Sequence, residues 1–140
     1  MYKILLVEDD KETADFVKQA FEIEDISVDV AYDGQAGYEQ YFKEEYDLIL
    51  LDLQMPKMSG EELLVKIRNI NPYIDIIVYT NYAEFGNIKK LVNLGINGYV
   101  NKGPGADLGE LVTMVKSKLE PMDEDSMKVL LNDTEVMRRE

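Results

Sequence analysis

The sequence predicts an α/β fold: a doubly wound, five-stranded parallel sheet with helices on both faces. Two observations carry this. Nearly continuous Ile, Leu and Val runs at Lys3–Val7, 47–51 and 74–79 read as strands buried on both faces. Helical patterns separate the strands in strict alternation, which implies parallel strands joined by helical crossovers.

The elements follow in order. After the first strand, residues 11–24 place Ala14, Val17, Ala20 and Phe21 on one face. Ser27–Ala31 is a weaker strand in which Val28 and Val30 alternate with polar neighbours. Residues 34–44, with Ala36, Tyr38, Tyr41 and Phe42, form the least regular helix. After the third strand, 59–69 opens with Ser59 and Glu62, spaced as a capping box, and carries Leu63, Leu64, Ile67 and Ile70 at helical spacing. The fourth strand leads into 83–94, with Ile88, Leu91 and Val92, closed by Gly95 as a left-handed cap. A short fifth strand, 98–100, leads into 107–119, with Leu108, Leu111, Val112, Val115 and Leu119 and a second reciprocal cap, Asp107 and Glu110. One domain over 1–120 is expected, ended by Pro121. Residues 121–140 read as an acidic tail or linker in which Met127, Leu130, Leu131 and Met137 share a helical face.

Composition narrows the chemistry. A hydrophobic fraction of 46% is ordinary for a globular domain. With no Cys and no His, disulfides, thiolate zinc sites, thiol nucleophiles and imidazole bases are excluded. Any metal would be held by carboxylates, carbonyls and water, a set suited to magnesium, calcium or manganese. A net charge of −13 offers no basic footprint for nucleic acid or an anionic membrane. The longest aliphatic runs, 4–7 and 48–51, fall far short of the roughly 20 residues of a membrane span. Glu8, Asp9 and Asp10 directly after the first run do not suit a signal peptide, and a cytoplasmic location is the expectation.

In parallel sheets function gathers at the carboxyl ends of the strands. Here the first strand is followed by Glu8, Asp9 and Asp10, the third by Asp52, the fourth by Thr80 and the fifth by Lys102. If strands one and three are neighbours, the carboxylates converge, repel one another, and call for a cation. Singly, an acid at a loop start is more often a helix cap, and Asp10 reads as one. Jointly, four strand ends of one coherent chemistry point to a carboxylate–metal site with Lys102 on the same rim.

These residues resemble the receiver domain of two-component response regulators. The resemblance rests on Ile4-Leu5-Leu6-Val7-Glu8-Asp9-Asp10, Asp52-Leu53-Gln54-Met55-Pro56-Lys57-Met58-Ser59-Gly60-Glu61, Tyr79-Thr80 and Gly95-Ile96-Asn97-Gly98-Tyr99-Val100-Asn101-Lys102, and covers about 2–120. It implies a flavodoxin-like (βα)5 fold with strand order 2-1-3-4-5. It implies that Asp52 accepts a phosphoryl group and that magnesium is held by Glu8, Asp9, Asp52 and the Gln54 backbone carbonyl. Lys102 would pair with the acceptor and then the phosphoryl oxygens, Thr80 would hydrogen-bond the phosphoryl group, and Tyr99 would be an aromatic switch. The implied partners are a sensor histidine kinase or histidine phosphotransfer protein. Downstream, a protein, an attached output domain or a second copy of the chain would read the face made by 83–94, 98–100 and 107–119. A phosphoacceptor of this kind is not a turnover enzyme.

Three departures stand out. Asn81 follows Thr80 where the family has a small residue, and narrows the entrance. Gly103 separates Lys102 from Pro104, which rules out a proline-assisted cis bond directly after the lysine. Gln54 and Tyr82 flank the site and would tune the lifetime of the acyl phosphate. Two other readings remain at this stage: a receiver-fold interaction module that no longer uses phosphate, and a metal-dependent phosphatase. The second is disfavoured because such enzymes place an Asp two residues after the nucleophile, where this chain has Gln54.

Overall fold

The computed structural model describes residues 1–81, 85–102 and 108–120, the side chains of 85–87 excepted. Strands β1 (Lys3–Val7), β2 (Ser27–Ala31), β3 (Leu48–Leu51), β4 (Asp75–Thr80) and β5 (Gly98–Asn101) alternate with helices α1 (Lys11–Ile23), α2 (Gly34–Tyr41), α3 (Gly60–Ile70), α4 (Phe85–Leu94) and α5 (Leu108–Leu119). All strand pairs are parallel, in the order β2-β1-β3-β4-β5 expected from the resemblance. Strand alternation divides the core into two layers. Ile4, Leu6, Leu48, Leu50, Ile77 and Val100 pack under α1 and α5. Leu5, Val7, Ile49, Leu51, Ile76 and Val78 pack under α2, α3 and α4. Both faces of the sheet are therefore covered, the reason β1, β3 and β4 read as nearly unbroken apolar runs.

Several boundaries differ from the sequence expectation. Strand β4 runs one residue further, so Thr80 lies inside it, paired in register with Asn101. Helix α2 stops at Tyr41 because the segment beyond has nothing to bury: Phe42 is 61% exposed. Ile70 and Val92 face outward, at 48% and 59% exposure, rather than joining the core. Ile70 is the last residue of α3, and Val92 sits one position past Leu91, which takes the buried face of α4. Of the box at α3, the Ser59 half is present: Ser59 Oγ accepts from Glu62 N at 3.2 Å. The expected start of the fourth helix at 83, Tyr82, the Gly103–Pro104 loop, the Asp107 cap and the tail 121–140 lie outside the described residues.

Two backbone features fix the loops around the site. Gly60 N donates to Leu53 O at 3.1 Å, drawing the start of α3 onto the strand it follows. A Cβ at Gly60 would fall 2.3 Å from the Asp52 carbonyl oxygen, so only glycine fits. At the opposite end of the sheet, Gly95 closes α4 with φ +102°. Arg68 donates to the Gly95 carbonyl, to the Ile74 carbonyl and to Asn97 Oδ1, tying α3 to the turn before β5.

Gly60→Ala is therefore expected to destabilise the fold by about 3 kcal/mol, an overpacking penalty against backbone. Gly95→Ala is expected to cost about 1–2 kcal/mol, the left-handed penalty for an L residue. Urea denaturation of both variants checks the order; an equal or reversed order would show that the Gly60 contact relaxes freely.

Candidate functional site

The order β2-β1-β3-β4-β5 sets the ends of β1 and β3 side by side, with Val7 opposite Leu51. Glu8 and Asp52 extend those two strands, and Asp52 N donates to Val7 O at 3.0 Å. Both side chains are buried, at 1% and 4% exposure, while Asp9 is exposed. Carboxylate oxygens of Glu8, Asp9 and Asp52 lie within 4.8 Å of one another. Among the described residues, Glu8 and Asp52 both pair with the Lys102 ammonium. Its Nζ is 2.5 Å from Glu8 Oε2 and 3.1 Å from Asp52 Oδ2.

Asp52 is held from the other side as well. The Thr80 hydroxyl, 0% exposed, donates to Asp52 Oδ1 at 2.9 Å, and Gln54 N donates to the same oxygen at 3.3 Å. Asp10 stands apart as the cap of α1, its carboxylate accepting from Glu12 N at 3.1 Å and from the Thr13 hydroxyl at 2.9 Å. Thr13, whose hydroxyl is the largest influence, and the first-turn amides hold the Asp10 carboxyl below its usual range. The groups surround an open cleft of about 300 Å³, which Asn81 also lines. Tyr99 is half-buried on the α2–α4 side of the sheet, opposite Val78 in register. Thr80, two positions on from Val78, belongs to the same side by strand alternation.

All the residues expected at the site converge except Tyr99, which lies behind it along β5. Sequence reasoning missed Tyr79 as a member of the cleft. Its ring lies 5.9 Å from Lys102 Nζ, and the signal for it was present, since it immediately precedes Thr80 and must take the opposite face.

Electrostatics follow from the geometry. Burial raises the Glu8 carboxyl from its ordinary 4.5 to about 7; the Lys102 hydrogen bond opposes the rise and the charge of Asp52 adds to it. Burial alone would lower the Lys102 ammonium, but its contacts with Glu8 and Asp52 outweigh that and its pKa is raised. The ammonium therefore stays charged, and Glu8 is the group that holds a proton when no further cation is present. Oxygen donors in excess of positive charge are the ligand set of a hard divalent cation.

Folded Glu8 keeps its proton at pH values where unfolded Glu8 has lost it. Between about 4.5 and about 7 the metal-free fold accordingly loses stability as pH rises. Cation binding must expel the same proton, so affinity rises over that window. Magnesium titration by calorimetry is expected to be weaker at about pH 6 than at about pH 8, by up to about tenfold, and Glu8→Gln is expected to flatten the dependence. A slope unchanged in Glu8→Gln would assign the proton to another group.

Known proteins are similar to this chain in sequence and fold. The family model described as the response regulator receiver domain matches residues 4–116. The response regulator ArlR of Staphylococcus saprophyticus subsp. saprophyticus is 35% identical over 119 residues, 85% of this chain, and the chain spans about half of that relative's length, 53%. A receiver domain protein from Methanospirillum hungatei JF-1 has a TM-score of 0.80 at 32% identity, over 86% of this chain and 94% of the other. The response regulator TrrA of Thermotoga maritima, solved in complex with Mg(2+)-BeF, has a TM-score of 0.76 at 30% identity, over 85% of this chain and 100% of the other. With the match to the family model spanning most of its length, the chain belongs to the response regulator receiver domain family.

Proposed function

We propose that this chain is a phosphorylatable receiver that takes a phosphoryl group onto Asp52 from the phosphohistidine of a sensor histidine kinase or histidine phosphotransfer protein. The observation that carries the reading is the setting of Asp52: buried, between the Lys102 ammonium at 3.1 Å and the Thr80 hydroxyl at 2.9 Å, with Glu8 and Asp9 alongside. The donor must supply the histidine, since this chain has none.

In the transfer a carboxylate oxygen of Asp52 attacks phosphorus and a new O–P bond forms. The donor's N–P bond breaks, and its electron pair returns to the imidazole nitrogen. Catalysis is then a matter of positioning and of charge on the equatorial oxygens. Lys102, already beside the acceptor, neutralises part of that charge. Thr80 moves its hydrogen bond from Asp52 to a phosphoryl oxygen. The donor set fits magnesium: Glu8, Asp9, Asp52 and the Gln54 backbone carbonyl would hold it, and when bound it neutralises phosphoryl oxygens that Lys102 does not reach. Asn81 at the mouth of the cleft narrows the approach.

Residues 1–120 make up the receiver unit in this reading, and 121–140 a tail or linker. The surface of α4, β5 and α5 would pass the state to a downstream protein, an attached output domain or a second copy of the chain. No helix among the described residues is long and apolar enough to cross a membrane; a cytoplasmic location is part of the proposal. The intact set of Glu8, Asp9, Asp52, Thr80 and Lys102 gives no support to an interaction module without phosphate.

Acetyl phosphate with magnesium is expected to add one phosphoryl group to the wild type and none to Asp52→Ala, read by intact mass. Equal labelling of the variant would place the acceptor elsewhere.

A second test concerns output. Thr80→Ala is expected to retain phosphorylation while shrinking the beryllium fluoride-induced NMR shifts of Tyr99, α4 and α5 by at least half, since couplings of about 1–3 kcal/mol are typical between such sites. Shifts of wild-type size in Thr80→Ala would remove Thr80 from the path.

A further inference from the structure

We propose that Tyr79 is a positioning residue for Lys102, its ring forming the wall against which the ammonium rests beside Glu8 and Asp52. The inference builds on the reading of Asp52 as phosphoacceptor.

Strand alternation turns Tyr79 toward α1 and α5, and its register partner Val100 stands two residues before Lys102. The side chain is 6% exposed, packed in the same layer as Val100 and Leu111, so its ring has little freedom to move. Lys102 Nζ lies 5.9 Å from the ring centroid, within cation–π range. The ammonium has three donors: two carboxylates, Glu8 and Asp52, lie on one side of it, and the aromatic ring is its remaining contact among the described residues.

That third contact differs in kind from the other two. Carboxylates bind the ammonium strongly, and both change when the acceptor is phosphorylated and a metal draws on Glu8. The ring attracts the cation without offering a strong acceptor, so it does not compete with phosphoryl oxygens for the N–H groups. It limits the flexible four-carbon stem to positions over the cleft in both states. The phenolic oxygen makes no hydrogen bond among the described residues, so the ring, not the hydroxyl, is the working part.

Three variants with acetyl phosphate and magnesium decide this. Tyr79→Phe keeps the ring and is expected to phosphorylate at close to the wild-type rate. Tyr79→Leu removes it and is expected to slow phosphorylation by about three- to tenfold, the scale of a partly desolvated cation–π contact, with magnesium affinity unchanged. Lys102→Ala combined with Tyr79→Leu is expected to be no slower than Lys102→Ala alone. Full activity in Tyr79→Leu, an equal loss in Tyr79→Phe, or a parallel fall in magnesium affinity would each overturn the proposal. Should Tyr79→Leu not fold, NMR of the wild type decides: the ring current must shift the Lys102 ε-methylene protons upfield, and their shift must relax in Tyr79→Phe no further than the change of ring predicts. A random-coil ε-methylene shift would overturn the proposal. Failure of the wild type itself to accept phosphate would refute the acceptor reading instead, and the ring-current measurement stands apart from it.

Discussion

Everything at the carboxyl edge depends on burying Asp52 and Glu8 side by side under a single ammonium. Two like charges in a poorly solvated place repel, and removing either from water is costly unless a partner offsets the loss. Lys102 is that partner, and its reach follows from the topology. It directly follows β5, two strands from the one that Asp52 follows and three from the one that Glu8 follows, and neighbouring strands lie about 4.8 Å apart. Only a long side chain crosses that distance, and among the cations a lysine presents a compact charge that two carboxylates can share. The strand order and the choice of lysine are one constraint seen twice.

The same constraint leaves the site incomplete, and that incompleteness is what makes it responsive. Burial, with the charge of Asp52 adding to it, raises the Glu8 carboxyl to about 7 against the pull of Lys102, so Glu8 is the group whose proton a further cation would displace. Thr80 is wholly buried and spends its hydroxyl on Asp52. A buried hydroxyl is costly to leave unpaired, so a change in the charge or shape of Asp52 has to be answered at Thr80. Thr80 is part of β4, hydrogen-bonded in the sheet to β5, where Lys102 N reaches its carbonyl at 3.1 Å. Farther along, Arg68 binds the Gly95 carbonyl and Asn97 and anchors the turn between α4 and β5 to α3.

The fold is legible in the sequence because β1, β3 and β4 are covered on both faces, which turns them into apolar runs short enough to read as strands between helical patterns. The site is legible because carboxylates, a hydroxyl and an ammonium each follow a strand. Where expectation and structure part, the cause is tertiary. Ile70 and Val92 sit at helical spacing, yet Ile70 is the exposed last residue of α3 and Leu91 already fills the buried position beside Val92. Helix α2 stops early because the chain beyond Tyr41 finds no layer to cover. Arg68 reads as one more surface charge, since the Gly95 carbonyl and Asn97 Oδ1 that it binds lie in a segment far away in sequence. Tyr79 was hidden by its neighbour: Thr80 carries the recognisable chemistry, and an aromatic residue one position earlier reads as core.

Adjacent positions at the end of a strand have opposite tasks, and β4 shows why that matters for a switch. Thr80 faces the layer of α2, α3 and α4, while Tyr79 faces the layer of α1 and α5. A contact that reports the state has to change with it, so it belongs to a group such as the Thr80 hydroxyl, which can exchange one oxygen for another. A contact that would hold the Lys102 ammonium through a change at Asp52 suits a packed ring such as that of Tyr79. Placing both on one strand lets the same backbone carry them, and the pleat keeps them apart. Repacking around Thr80 can then proceed on one face of the sheet while Lys102 keeps its support from the other.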